Sequence, residues 1–119
     1  KLIAYKPKSK EWGAVRYPLE AAEKGWVGLS EITAAGEHLY IVERDNLIGD
    51  AAKLKKLYRV AIADLKPAKL GGELPVVAKE AVHDFIADLK THDGAPIRNF
   101  LLRDPGGYTI EVFQWLKRP

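Results

Sequence analysis

The sequence predicts a mainly β fold carrying one amphipathic helix and a C-terminal β-hairpin, and three observations support this. Apolar residues alternate at period two in several short runs: Leu39, Ile41 and Glu43 share one face, Tyr40, Val42 and Arg44 the other. These runs are bounded by turns rich in glycine and proline, the punctuation of antiparallel sheets. Only one segment has clear helical spacing, with Ala78, Ala81, Val82, Phe85, Ile86 and Leu89 recurring in steps of three and four.

Taken in order, KLIAYKPKSKEW suits a short edge strand that breaks at Pro7 into a lysine-rich turn. Residues Tyr17–Gly25 have helical composition, but Pro18 and Gly25 restrict them to a loop with a helical turn. WVGLSEIT and HLYIVERD, separated by Ala35-Gly36-Glu37, form a hairpin. A loop over Asp45–Asp50 follows, and then a third strand in LYRVAIADL, which ends before Pro67. Lys66–Pro75, with two prolines and two glycines, is a loop and the one internal linker. The amphipathic helix spans about 78–90, with Lys79, Glu80, Asp84, Asp88 and Lys90 on its polar face. The end is a hairpin: Asn99–Arg103, a turn at Asp104-Pro105-Gly106-Gly107, and Tyr108–Leu116, with Phe113 and Trp115 adding apolar burial.

The 119 residues leave room for one modest core. With 47% hydrophobic and 29% charged residues, disorder and collagen-like repeats are excluded. The absence of cysteine removes disulfides, thiolate nucleophiles and cysteine metal sites. No apolar run approaches a membrane span of roughly 20 residues, so no membrane partner is expected. The net charge of +3 comes from residues 1–59, with 11 basic and 8 acidic side chains, and is too small to imply nucleic acid.

Candidate chemistry is sparse. Neither Ser9 nor Ser30 sits in a nucleophile elbow, and no phosphate-cradling glycine loop is present. His38, His83 and His92 lack metal-binding spacing, and His83 reads as a partly buried structural residue. Glu31, Glu43, Arg44, Asp45 and Asn46 gather oxygens and a guanidinium at strand ends. Such a group can hold Ca²⁺ or clamp an anion, or be a surface ion-pair cluster. Lys53, Lys55, Lys56 and Arg59 with Tyr58 offer a second anion-attracting surface, or a solvated face.

Residues from about 4 to 93 resemble the family called esterase-like activity of phytase. The resemblance is most specific in GWVGLSEIT (Gly25–Thr33), YIVERDNLIGD (Tyr40–Asp50), KKLYRVAI (Lys55–Ile62) and VAKEAVHDFIADLK (Val77–Lys90). It implies β-propeller-like blades around a central channel, hydrolysis of phosphate esters or related small anionic esters, and a periplasmic or extracellular location. Glu31, Arg44 and Asp45 match motifs that the resemblance puts near the channel. Blades take roughly 40–50 residues each, and propellers need four or more. The expectation is therefore a fragment or subunit, inactive alone, whose open sheet edges are covered by a second chain or by self-association.

The tail departs from that pattern. NFLLRDPGGYTIEVFQW (Asn99–Trp115) resembles the end of a vicinal-oxygen-chelate domain, the glyoxalase, bleomycin-resistance and dioxygenase superfamily, with Glu111 at the position of a metal ligand. This second resemblance implies an α+β βαβββ module holding Fe²⁺, Mn²⁺, Ni²⁺ or Zn²⁺ through Glu111 and a histidine, His38. The chain thus divides into a propeller-like segment, 1–93, and a hairpin of different origin, 94–119. A third reading is a non-catalytic assembly or binding subunit using its open edges.

Overall fold

The computed structural model describes residues 1–88, 90–91, 97–103 and 106–115, of which 88, 90–91, 97–98, 100–102 and 112–115 are described as backbone only. Among the described residues the chain is mainly β, in three antiparallel sheets, none of which closes into a barrel.

The largest sheet forms around the predicted hairpin. Strand β3 (Val27–Ala35) and strand β4 (His38–Asp45) join through Gly36-Glu37, where Gly36 has a φ of 56°, a conformation glycine adopts without strain. β4 then pairs with β5 (Lys55–Ala61), setting Leu39 opposite Val60 and Ile41 opposite Tyr58. Matched apolar pairs fix this register, because a slip by one residue would turn every buried side chain outward. In β3 the ladder skips at Ser30: Leu29 opposes Glu43 and Glu31 opposes Val42, a β-bulge at the sheet edge.

The fourth strand overturns a prediction. Residues 78–90 are not an amphipathic helix: Glu80–Asp84 is strand β7, added to the free edge of β5, and only Phe85–Asp88 is helical, as α1. Two ion pairs lock β7 in place, Arg59 to Glu80 at 2.7 Å and Lys56 to Asp84 at 3.6 Å. Val82, placed on the buried stripe of the expected helix, is 44% exposed. An open sheet edge outweighed local helical spacing. Asp84 caps the one-turn helix, its Oδ1 accepting from Ile86 N–H at 3.0 Å.

The second sheet runs in the order β1 (Leu2–Lys6), β2 (Glu11–Val15), β6 (Ala68–Lys69), the last within the predicted 66–75 loop. Residues 17–25 form an irregular connection without the expected helical turn. A crossing ties the sheets together: Arg16 N–H donates to Pro75 O at 2.8 Å, and Val77 N–H donates to Arg16 O at 3.0 Å. It delivers Tyr17 and Val77 to the core beside Val15, Ile41 and Val60, with Leu2, Leu39 and Leu65 packed against them. Each fully buried aliphatic contributes roughly 1.5–3 kcal/mol.

The predicted C-terminal hairpin is present as β9 (Ile97–Arg103) and β10 (Thr109–Trp115), joined by the two-residue β8 (Lys90–Thr91) in a third sheet. The turn positions Asp104 and Pro105, His92, and the side chains of Phe113 and Trp115 lie outside the described residues. The βαβββ alternative does not assemble: β7 pairs with β5, whereas β8, β9 and β10 form a different sheet.

Candidate functional site

Strand parity puts Ile41, Glu43 and Asp45 on the core face of β4, so two carboxylates are drawn inward with the apolar residues. Glu43 is 0% exposed. A carboxylate with no access to water survives only if its lone pairs and charge are met internally. Its Oε2 accepts from Tyr17 O–H at 3.0 Å and from Lys79 Nζ at 2.7 Å, and its Oε1 accepts from Glu20 N–H at 2.5 Å.

Lys79 is the hub of this network. Its ammonium also lies 3.0 Å from Glu20 Oε1, 4.1 Å from the centre of the Tyr58 ring and 5.1 Å from that of Tyr17. Tyr58 O–H donates to Glu20 Oε1 at 3.0 Å. Burial, reinforced by the hydrogen bond to Glu43, raises the Tyr17 phenol well above its ordinary range, and burial with the bond to Glu20 does the same for Tyr58. Both remain protonated donors at neutral pH. The bonds from Lys79 and Tyr58 lower Glu20, which stays ionised.

Asp45 organises the neighbouring segment. Its Oδ2 accepts from Lys53 N–H at 2.7 Å and Leu54 N–H at 2.8 Å, its Oδ1 from Leu47 N–H at 3.2 Å, and its own N–H donates to Leu54 O at 3.0 Å. Lys55 Nζ donates to Asp45 Oδ1, to Asp45 O at 2.8 Å and to Leu47 O at 3.1 Å. Burial raises the Asp45 carboxyl, but the Lys55 ammonium and the two Oδ2 donors outweigh it and hold the group at about 2.

An open cleft of roughly 370 Å³ lies beside both networks, between residues 20–24 and 47–56. Its ionisable lining is Glu20, Glu23, Lys24, Asp45, Lys53 and Lys56. Three lysines thus face three carboxylates: Asp45 is neutralised from behind by Lys55, Glu20 and Glu43 share the one Lys79, and Lys56 also reaches Asp84.

The predicted site residues are only partly brought together. Glu43 and Asp45 are buried in separate networks. Arg44, on the opposite face, donates to Ser30 Oγ at 2.5 Å and lies 5.6 Å from the Trp26 ring. Asn46 Oδ1 accepts from Trp26 N–H at 2.8 Å and so fastens the entry to β3. Glu31 is exposed and accepts from Ile32 N–H. His38 is half-buried in the large sheet against Tyr40, while Glu111 lies in the C-terminal sheet and accepts from Asn99 Nδ2.

These residues do not fit a metal ion. The carboxylate oxygens of Asp45 and Glu43 are directed at N–H, O–H and ammonium donors, and among the described residues no three His, Asp or Glu side chains converge as a ligand set. Sequence reasoning missed Tyr17, Glu20 and Lys79, and grouped Tyr58 with the lysine-rich surface rather than with this network. The signal was Glu43 itself, an acid in phase with Leu39 and Ile41, which demands buried donors from elsewhere in the chain.

The fold and site define an antiparallel β protein whose main sheet is pinned by buried carboxylates and opens onto a cleft lined by lysines and carboxylates. Residues 1–101 match the phytase-like family, described as esterase-like activity of phytase, and the chain belongs to that family. The match reaches into β9. No curated protein and no solved structure shows a significant match. Among the described residues, no helix is long and apolar enough to cross a membrane.

Proposed function

We propose that this chain serves in the hydrolysis of phosphate esters or related anionic esters, and that the cleft between residues 20–24 and 47–56 receives the anionic group. The observation that carries this reading is the cleft's lining: Lys24, Lys53 and Lys56 present ammoniums to it while Asp45, one of its three carboxylates, is neutralised from behind by Lys55. Lysine ammoniums bind phosphate as point charges through charge-assisted hydrogen bonds.

The order β3-β4-β5-β7 supports a propeller blade, since a sheet of four antiparallel strands is that architecture's unit, here with β6 looping out to the second sheet before β7. A periplasmic or extracellular location goes with this reading, as the family resemblance implies. So does a partner, a second chain or another copy, along the β3 edge, where Leu29 is 38% and Ile32 46% exposed.

The test is calorimetric titration with inorganic phosphate alongside turnover of p-nitrophenyl phosphate and p-nitrophenyl acetate. Phosphate binding should weaken roughly tenfold in Lys53→Ala and in Lys56→Ala, the equivalent of one charge-assisted hydrogen bond. Binding without turnover assigns a non-catalytic anion-binding role. Neither binding nor turnover refutes the reading.

A further inference from the structure

The Lys55 side chain ends in a seat made of three oxygens: Asp45 Oδ1, the Asp45 carbonyl at 2.8 Å and the Leu47 carbonyl at 3.1 Å. Two carbonyls and a carboxylate turned toward one point are the donor chemistry of a cation site. The seat is built rather than incidental. The Asp45 carboxylate is 4% exposed, and the N–H groups of Leu47, Lys53 and Leu54 fix its orientation independently of Lys55. The carbonyl distances suit an ammonium; Ca²⁺ would require contraction to about 2.3–2.6 Å.

We propose that the Lys55 ammonium is the resident cation of this seat, a covalently attached ion standing where a free cation would otherwise bind. Because the ion belongs to the chain, the 47–54 segment keeps its conformation whether or not divalent cations are present. Removing the side chain beyond Cβ exposes an anionic three-oxygen seat that an external cation can fill. The atoms lost in Lys55→Ala correspond to propylammonium, and Lys55 is 25% exposed, which leaves an approach from solvent.

The experiment is thermal unfolding of the wild-type chain and Lys55→Ala, each with EDTA, CaCl₂, propylammonium chloride or 1-propanol. The wild-type midpoint should be indifferent to EDTA and CaCl₂. Lys55→Ala should melt roughly 10 °C lower, the usual result of stranding one member of a buried pair, and should recover with propylammonium but not with the uncharged alcohol. A wild-type midpoint that falls with EDTA and returns with CaCl₂ overturns the proposal, as does a variant indifferent to propylammonium. If Lys55→Ala does not fold, calorimetric titration of the wild type with CaCl₂ decides. Absence of saturable binding supports the ammonium as resident ion, and saturable binding overturns it.

Discussion

Replacing Lys79 with methionine keeps most of the side chain's volume and removes its charge. In the wild type that ammonium, 10% exposed, neutralises Glu43, which is 0% exposed, and contacts Glu20 and two tyrosine rings. Without it Glu43 retains the Tyr17 hydroxyl and the Glu20 N–H but has no counter-charge. Stranding one member of a buried ion pair costs about 3–5 kcal/mol. Against a total stability of roughly 5–15 kcal/mol the loss is severe, equivalent to a fall in Tm of roughly 10–20 °C. Urea unfolding followed by tryptophan fluorescence measures it. Adding Glu43→Leu removes the stranded charge and should restore part of the loss, the remainder reflecting the Tyr17 O–H and Glu20 N–H left without their acceptor. A Lys79→Met chain within about 1 kcal/mol of wild type, as for a solvated surface pair, would refute the argument.

Three further outcomes are expected. Asp45, held at about 2 against an ordinary 3.8, contributes stability that is present above pH 3.8 and lost as pH falls through 2. That contribution is about 2 kcal/mol, so Asp45→Asn should be less stable at neutral pH and should show a shallower acid transition by circular dichroism. In Gly25→Ala, with φ at 72°, the new Cβ would lie 2.1 Å from Asn46 Oδ1. Equilibrium unfolding should show a loss of more than about 1 kcal/mol as the Asn46 bond to Trp26 breaks. Arg44→Ala removes the cation over Trp26 and should cost only about 0.5–1 kcal/mol, with a change in tryptophan emission.

Strands whose residues alternate strictly were legible in the sequence. The β3–β4 hairpin, β5 and the C-terminal hairpin follow from period-two patterning and glycine turns, which act locally. Strand β7 was not, because its conformation depends on the vacant edge of β5 and on Arg59 and Lys56, more than 20 residues away in the chain. The site was legible in Glu43 and Asp45 and not in the groups that meet them. Glu43 and Asp45 stand out in a short motif, whereas Tyr17 and Lys79 reach Glu43, and Tyr58 reaches Glu20, from separate segments that meet only after folding. The same burial that hid those partners turns the Asp45 and Glu43 oxygens toward N–H, O–H and ammonium groups.

The bulge at Ser30 changes what the outer edge of the large sheet offers a neighbour. It places Leu29 and Ile32, three positions apart, on one side of the strand, opposite Glu43 and Ile41 respectively. It also divides β3's run of backbone donors and acceptors, leaving Glu31–Ala35 as the longest unbroken stretch. At about 3.4 Å per residue, an arriving strand finds roughly 17 Å of continuous ladder before the phase shifts. A straight strand can satisfy one side of that break or the other. A partner that seals the whole edge must carry a kink of its own at the matching place, and strands without one are turned away.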